Sequence, residues 1–243
     1  MSRIYKRIYT APASKSDRAA ASSYALIYKG GRLLANPEVF VVFLGSAWKK
    51  NQADTQFLQQ FFPSILASSL MDQLAEYNTG PYHFGHGKWL GSAILPHTYR
   101  GKKISDAQIQ RLLTGWIADG QAPPAGPQTL YFVYTPPNIQ VSADRDASCT
   151  VFCGYHDAIH SNVFYAVIPY PSCAGCLGGL SAQQSLSVTS SHELCEAMTD
   201  PAPGSGWYNQ RKGESGDYCG FVFKTVNGYT VQQEWSNRLN GCL

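Results

Sequence analysis

The sequence predicts an α/β (α+β) fold, a single domain in which one mixed β-sheet is flanked by helices. Three apolar runs, Glu38–Leu44 (EVFVVFL), Thr129–Thr135 (TLYFVYT) and Val163–Tyr170 (VFYAVIPY), are continuous, β-branched and aromatic, as strands covered on both faces should be. Segments with helical spacing alternate with them for most of the length, which calls for helices packed on a sheet. The 243 residues, 44% of them hydrophobic, are enough for one well-buried core, and no repeat or composition break demands a boundary. We therefore divide the chain into a basic N-terminal arm, residues 1–20, and one domain, residues 21–243.

In chain order, Ala25–Leu34 holds two short apolar runs around Lys29-Gly30-Gly31, a hairpin signal. Glu38–Leu44 follows as a central strand. Asp54–Tyr77 carries apolar residues at helical spacing (Phe57, Leu58, Phe61, Ile65, Leu66, Leu70, Leu74), with Pro63 expected to kink or restart the helix. Ser105 and Gln108 form a capping-box pattern ahead of Ile109, Leu112, Leu113, Trp116 and Ile117, and Gly120 closes that helix. The proline-rich Gln121–Gln128 is a loop before the Thr129–Thr135 strand, which Pro136-Pro137 stops. Beyond Val163–Tyr170 come a helix over Ala182–Thr199, a Pro/Gly loop over Pro201–Gly206, and strands at Phe221–Val226 and Tyr229–Gln233.

Charged residues make up only 14% of the chain, against roughly a quarter in an average soluble domain. No stretch of about 18 apolar residues exists, and Met1–Ala20 is basic and polar without an apolar core, so neither a membrane span nor a secretory signal is expected in these residues. Residues 1–34 hold seven Lys and Arg against one Asp, while the rest carry 12 basic against 15 acidic side chains. A basic arm on a near-neutral body suits an anionic surface or plain solvation. Nothing resembling a nucleic-acid module follows it, so nucleic acid is not an expected partner.

Seven cysteines are more informative. Cys149/Cys153 and Cys173/Cys176 are close pairs, Cys219 and Cys242 bracket the C-terminal segment, and Cys195 stands alone. Two chemistries fit the four paired residues, a zinc knot of thiolates or disulfides in an oxidising compartment. The weakly charged composition and the extra distant pair favour disulfides, leaving Cys195 as a buried free thiol.

The chemistry concentrates in Ser190-Ser191-His192-Glu193-Leu194-Cys195-Glu196-Ala197-Met198-Thr199-Asp200-Pro201. At about 100° per residue, His192, Glu196, Asp200 and Glu193 share one face of a helix, while Leu194, Cys195, Ala197 and Met198 share the other. His192 and Glu196, four apart, can reach one ion, the spacing of the H-E-x-x-H zinc motif with a carboxylate for the second imidazole. Glu193 then stands where a zinc peptidase places its general base, facing a water activated by the metal. For the third ligand we rank Asp217 first, because it follows a flexible glycine loop and precedes Cys219. Asp200 ranks second, since Pro201 should turn it out of the helix into a structural role, and a histidine from elsewhere ranks third. The alternative for this face is an exposed helix with ordinary i, i+4 polar contacts. His156 and His160 are also four apart, but their segment reads as a loop and a hydrogen-bonding role suits each better. His83 and His86 lie in the aromatic, Gly-rich Pro81–Trp89 stretch, which could line a cleft.

Taken together, Cys149-x3-Cys153-Gly-Tyr-His156, the Val-Phe-Tyr-Ala-Val-Ile-Pro run, Cys173-x2-Cys176, Ser191-His192-Glu193-x2-Glu196-Ala-x-Thr199-Asp200-Pro201, Gly206-Trp207-Tyr208, Gly216-Asp217-x-Cys219 and Trp235-Ser236-Asn237 with Cys242 resemble the EXORDIUM (phosphate-induced protein) family and its bacterial and fungal relatives. The resemblance spans roughly Val39–Leu243 and is most specific from Cys149 onward. It implies a secreted or cell-wall-associated protein with disulfide-bonded cysteines (Cys149, Cys153, Cys173, Cys176, Cys219, Cys242). It also implies that the His-Glu-x-x-Glu helix is a family feature, one that in bacterial members looks like a zincin-type, zinc-dependent peptidase helix.

The leading expectation is thus a zinc metallopeptidase acting on a peptide or protein substrate. His192, Glu196 and Asp217 hold Zn2+, Glu193 is the base, and Tyr218 or His156 stabilises the oxyanion. A second expectation is a non-catalytic extracellular module that binds carbohydrate or peptide through its aromatic residues and uses the same cluster structurally. A third is hydrolysis of another bond by the same chemistry.

Overall fold

The computed structural model describes residues 24–243, so the basic arm predicted at residues 1–20 lies outside the described residues. In chain order the strands and helices are β1 (Ile27–Tyr28), β2 (Glu38–Leu44), α1 (Gln52–Ile65), α2 (Ser69–Asp72), β3 (Lys88–Leu95), β4 (Lys103–Ser105), α3 (Asp106–Ala118), β5 (Thr129–Thr135), β6 (Gln140–Ala143), β7 (Asp146–Ala147), β8 (Tyr155–Ile159) and β9 (Val163–Pro169). They continue with α4 (Ala174–Leu177), α5 (Ala182–Thr199), β10 (Trp207–Tyr208), β11 (Phe223–Val226), β12 (Tyr229–Gln232), β13 (Trp235–Ser236) and β14 (Gly241–Cys242).

The frame is a five-stranded sheet in the order β3-β2-β5-β9-β8. The first four strands run parallel and β8 pairs antiparallel with β9 at the edge. Both faces are covered, which is why the strand sequences are apolar at successive positions rather than at alternate ones. Val39, Val41 and Phe43 of β2 share a core with Leu58, Phe61, Phe62 and Ile65 of α1 and Leu194, Cys195 and Met198 of α5. Phe40, Val42 and Leu44 face the other way, onto Ile109, Leu113 and Trp116 of α3. The architecture is the expected mixed sheet flanked by helices.

Local sequence explains most element ends. The Ser105 hydroxyl accepts the Gln108 N–H and the Gln108 side chain accepts the Ser105 N–H, the predicted capping box of α3. A second one, Ser181 with Gln184, starts α5. Pro63 sits in the last turn of α1, which stops at Ile65, and the chain restarts at Ser69 behind a Ser68 cap.

Two local expectations are corrected. Ala25–Leu34 is not a hairpin, because Ile27 and Tyr28 pair with Tyr208 and Trp207, and Lys29 and Gly31 donate to the carbonyls of Gly206 and Ser205. The segment before His160 is strand β8 and not a loop, since its register with β9 satisfies backbone groups that its own sequence could not pair. The Gly-rich stretch ending at Trp89 leads into an edge strand, β3, whose register against β2 shifts between Val39 and Phe40.

All six framework cysteines are paired, as Cys149–Cys173, Cys153–Cys176 and Cys219–Cys242, and Cys195 is free and buried. The first two bonds tie the chain entering β8 to the α4 segment, and the third ties the C-terminal residues to the loop before β11. Bonds of this kind persist in oxidising compartments. Each closes 23 or 24 residues of sequence, for which restriction of the unfolded chain stabilises by about 3 kcal/mol. Replacing Cys153 and Cys176 together by Ser is expected to lower unfolding free energy in urea by about 2–4 kcal/mol. A loss under 1 kcal/mol would show that this bond does not hold the edge strand.

Candidate metal centre

Helix α5 is buried from Ser185 to Thr199. A helix with serine, threonine, histidine and glutamate on one side can be enclosed only if those groups are satisfied. Its hydroxyls do this locally: Ser190 donates to the Leu186 carbonyl, Ser191 to Val188 and Thr199 to Cys195. Tyr134 of β5 meets Ser190 at 2.5 Å, and the Gln232 N–H donates to the Ser191 hydroxyl. What remains is the ionisable face, which meets β8, the 213–217 loop and the end of β12.

The cavity there is lined by Gly154, Tyr155, His156, His192, Glu193, Glu196 and Glu214 and measures about 10 Å³, room for about one water-sized sphere. Its two histidines and three glutamates are between 2% and 6% exposed. His192 Nε2 lies 3.2 Å from Glu196 Oε2 and 4.0 Å from Glu193 Oε1. His156 Nδ1 lies 3.2 Å from Glu193 Oε2 and 3.8 Å from Glu196 Oε2, and its Nε2 lies 3.2 Å from Glu214 Oε1. Two glycines make this crowding possible. A Cβ on Gly154 would stand 2.6 Å from Thr189 Cγ2 and 2.9 Å from Glu193 Oε1, and one on Gly216 would overlap the His192 ring.

Among the described residues, and apart from the disulfide-bonded Cys149, Cys173 and Cys176, two groups of three residues present donor atoms within 4.8 Å of one another: His192, Glu196 and Asp217, and His156, Glu193 and Glu196. The first is the ligand set expected from the sequence. Asp217 is only half-buried and does not line the cavity; its N–H donates to Glu196 Oε1, and its Oδ2 accepts the Glu214 N–H at 2.9 Å. Asp200 has the structural part foreseen for it. Its backbone leaves the helical region before Pro201, and its carboxylate accepts N–H groups from Gly204, Ser205 and Gly206 at 2.6, 2.9 and 2.5 Å. The Tyr218 hydroxyl is turned to the Tyr24 carbonyl, 2.6 Å away, and its ring stacks on Trp235, so it does not face the cavity. His83 and His86 do not reach it either; His86 pairs with Asp72 in solvent.

Glu214, Gln232 and Glu234 are the residues that sequence reasoning passed over. Glu214 sits between Gly213 and Ser215, and an acidic residue in a glycine loop of so weakly charged a chain is the one signal that could have found it. The Gln232 amide stands 2.7 Å from His192 Nδ1 and donates to the Gly216 carbonyl at 2.8 Å. Because that carbonyl requires a donor, the amide nitrogen is fixed there and His192 Nδ1 accepts from it, so the imidazole proton lies on Nε2, toward Glu196. The Gln232 oxygen is buried without a hydrogen bond.

No protein-family model matches the chain, and no curated protein matches it in sequence.

The electrostatics favour a cation. Burial alone would depress both imidazoles, but Glu214 and Glu193 around His156, and Glu196 and Glu193 around His192, hold the two rings well above the ordinary 6.5. Burial first, and Glu196 with it, pushes the carboxyls of Glu214 and Glu234 well above the ordinary 4.5. Glu214 Oε1 and Glu234 Oε1 are buried without a hydrogen bond. Such a cluster holds protons where no metal is bound, and the donor set, imidazole with carboxylates, is one that zinc and other divalent ions accept. The separations of 3.2–4.0 Å match the roughly 3.4 Å between neighbouring ligands placed about 2.1 Å from a tetrahedral ion.

In the metal-free protein the raised groups bind more protons folded than unfolded. The imidazoles stabilise the fold fully below about pH 6.5, and that contribution is lost as pH rises through their raised values. Glu214 and Glu234 act in the same sense from about pH 4.5 upward, where the unfolded chain releases protons that the folded one retains. The melting temperature of chelator-treated protein should therefore fall from pH 5 to pH 9, and zinc should restore it most at the alkaline end; a flat profile in chelator contradicts this. Gln232→Leu should weaken zinc binding by about 10–100-fold in a competition titration with the fold intact, as expected for a partner that orients a ligand.

Proposed function

We propose that the protein is a zinc-dependent hydrolase of peptide bonds, in line with the zincin-type reading of its EXORDIUM-like motifs. The observation that supports this most directly is the placement of Glu193. It stands on the same buried helix face as His192 and Glu196, beside the ligand set and not within it, and its Oε1 borders a cavity large enough for one water.

In this reading His192 and Glu196 hold the ion from α5 and Asp217 completes the set from the 213–217 loop. A bound divalent ion supplies Lewis acidity toward water and a carbonyl oxygen. Glu193 accepts a proton from the water and returns it to the leaving nitrogen. His156 fixes the Glu193 carboxylate through its Nδ1 contact and is itself fixed by the Asp200 carbonyl, 3.0 Å from Nε2. The three disulfides suit an oxidising compartment, and an extracellular or cell-wall location follows from the same reading.

The near-complete burial of the donors favours a second reading, a structural metal or polar site in a binding module. One variant separates the two. Glu193→Gln should retain zinc at wild-type stoichiometry while cleavage of a peptide library falls by at least 100-fold. Equal cleavage by wild type and variant, or none by a zinc-loaded wild type, would leave only the structural reading.

A further inference from the structure

We propose that the cluster takes two divalent cations, the second held by His156 Nδ1, Glu193 and Glu196, with Glu196 bridging it to the first. This rests on the reading above, in which His192, Glu196 and Asp217 hold the first ion. Glu196 is the residue common to the two donor groups. Its Oε2 lies between two ring nitrogens, 3.2 Å from His192 Nε2 and 3.8 Å from His156 Nδ1.

The orientation of His156 is the strongest argument. Its Nε2 lies 3.0 Å from the Asp200 carbonyl, which can only accept, so the neutral ring carries its proton on Nε2 and turns the Nδ1 lone pair toward Glu193 and Glu196. A ring nitrogen donating to a backbone carbonyl while the other faces carboxylates is the outer-shell arrangement of a metal-bound histidine.

Glu214 supplies an independent observation. It is 2% exposed and lines the cavity, and its Oε1 lies 3.2 Å from His156 Nε2, a nitrogen it shares with the Asp200 carbonyl. A buried carboxylate that must share a donor with a carbonyl favours a cation nearby. The cavity admits about one water-sized sphere, and a zinc ion sits about 2.0–2.2 Å from its donors, closer than a water does. The functional consequence is inhibition: Glu193 bound to the second ion cannot accept a proton, so excess metal silences the site that the first ion activates.

Zinc titrated into the chelator-stripped full chain tests this. Calorimetry and metal analysis should give two equivalents, and X-ray absorption should show a zinc–zinc distance of about 3.5–4 Å. His156→Ala should bind one equivalent. His156→Gln, which keeps a polar side chain against Asp200, should do the same if alanine unfolds the protein, with circular dichroism reporting the fold. One equivalent in wild type, without zinc–zinc scattering, overturns the second site and leaves the proposed function standing. No zinc at all overturns both. Peptide cleavage that rises through the second equivalent overturns the inhibitory role.

Discussion

The organising constraint is the burial of an anionic helix face. Glu193, Glu196, Glu214 and Glu234 are all almost fully enclosed, together with two histidines. Taking an unpaired carboxylate out of water costs several kcal/mol even after relaxation, so each must be matched by a proton, a hydrogen bond or a cation. Much of the surrounding structure serves that requirement. The hydroxyl groups along α5 donate to carbonyls one turn back in their own helix, the Asp200 carboxylate turns the chain sharply by collecting three amides, and Gln232 ties His192 to the Gly216 loop.

The sheet provides the other half of the arrangement. Four parallel strands bury an apolar layer against the far side of α5, which fixes the helix so that its polar side turns to the edge strand β8. A strand bearing a histidine and preceded by glycine can approach a glutamate-bearing helix only where no Cβ intervenes. The Cys153–Cys176 bond lies next to that glycine and anchors the approach at the sheet edge. The Cys219–Cys242 bond does the same for the loop that carries Glu214 and Asp217. Stability and site geometry are therefore one problem here: the same staples that restrict the unfolded chain hold the donors together.

This also accounts for the division of labour between similar side chains. Asp200 and Asp217 were rival ligands by sequence position, but Pro201 forces Asp200 out of the helix and its carboxylate is consumed by backbone amides. Asp217 stays near Glu196 because its own amide is bonded to it. Tyr218, the next residue, points the opposite way in the short turn over Asp217–Cys219 and spends its hydroxyl on Tyr24.

The sequence by itself determined what depends on local periodicity and local chemistry. The strands β2, β5 and β9, the capped helices α3 and α5, the odd thiol Cys195, and the His192/Glu193/Glu196 face all follow from residue spacing within one element. The tertiary structure decided what depends on residues far apart. His156 lies in β8, a strand recognisable only through its pairing with β9, Glu214 reaches the cavity from a loop, and Gln232 reaches His192 from β12. The pairing of β1 with β10 and the three disulfide partners are equally non-local. No periodic pattern marks such residues, because their neighbours in space are set by loop closure and strand register, not by their position along the chain.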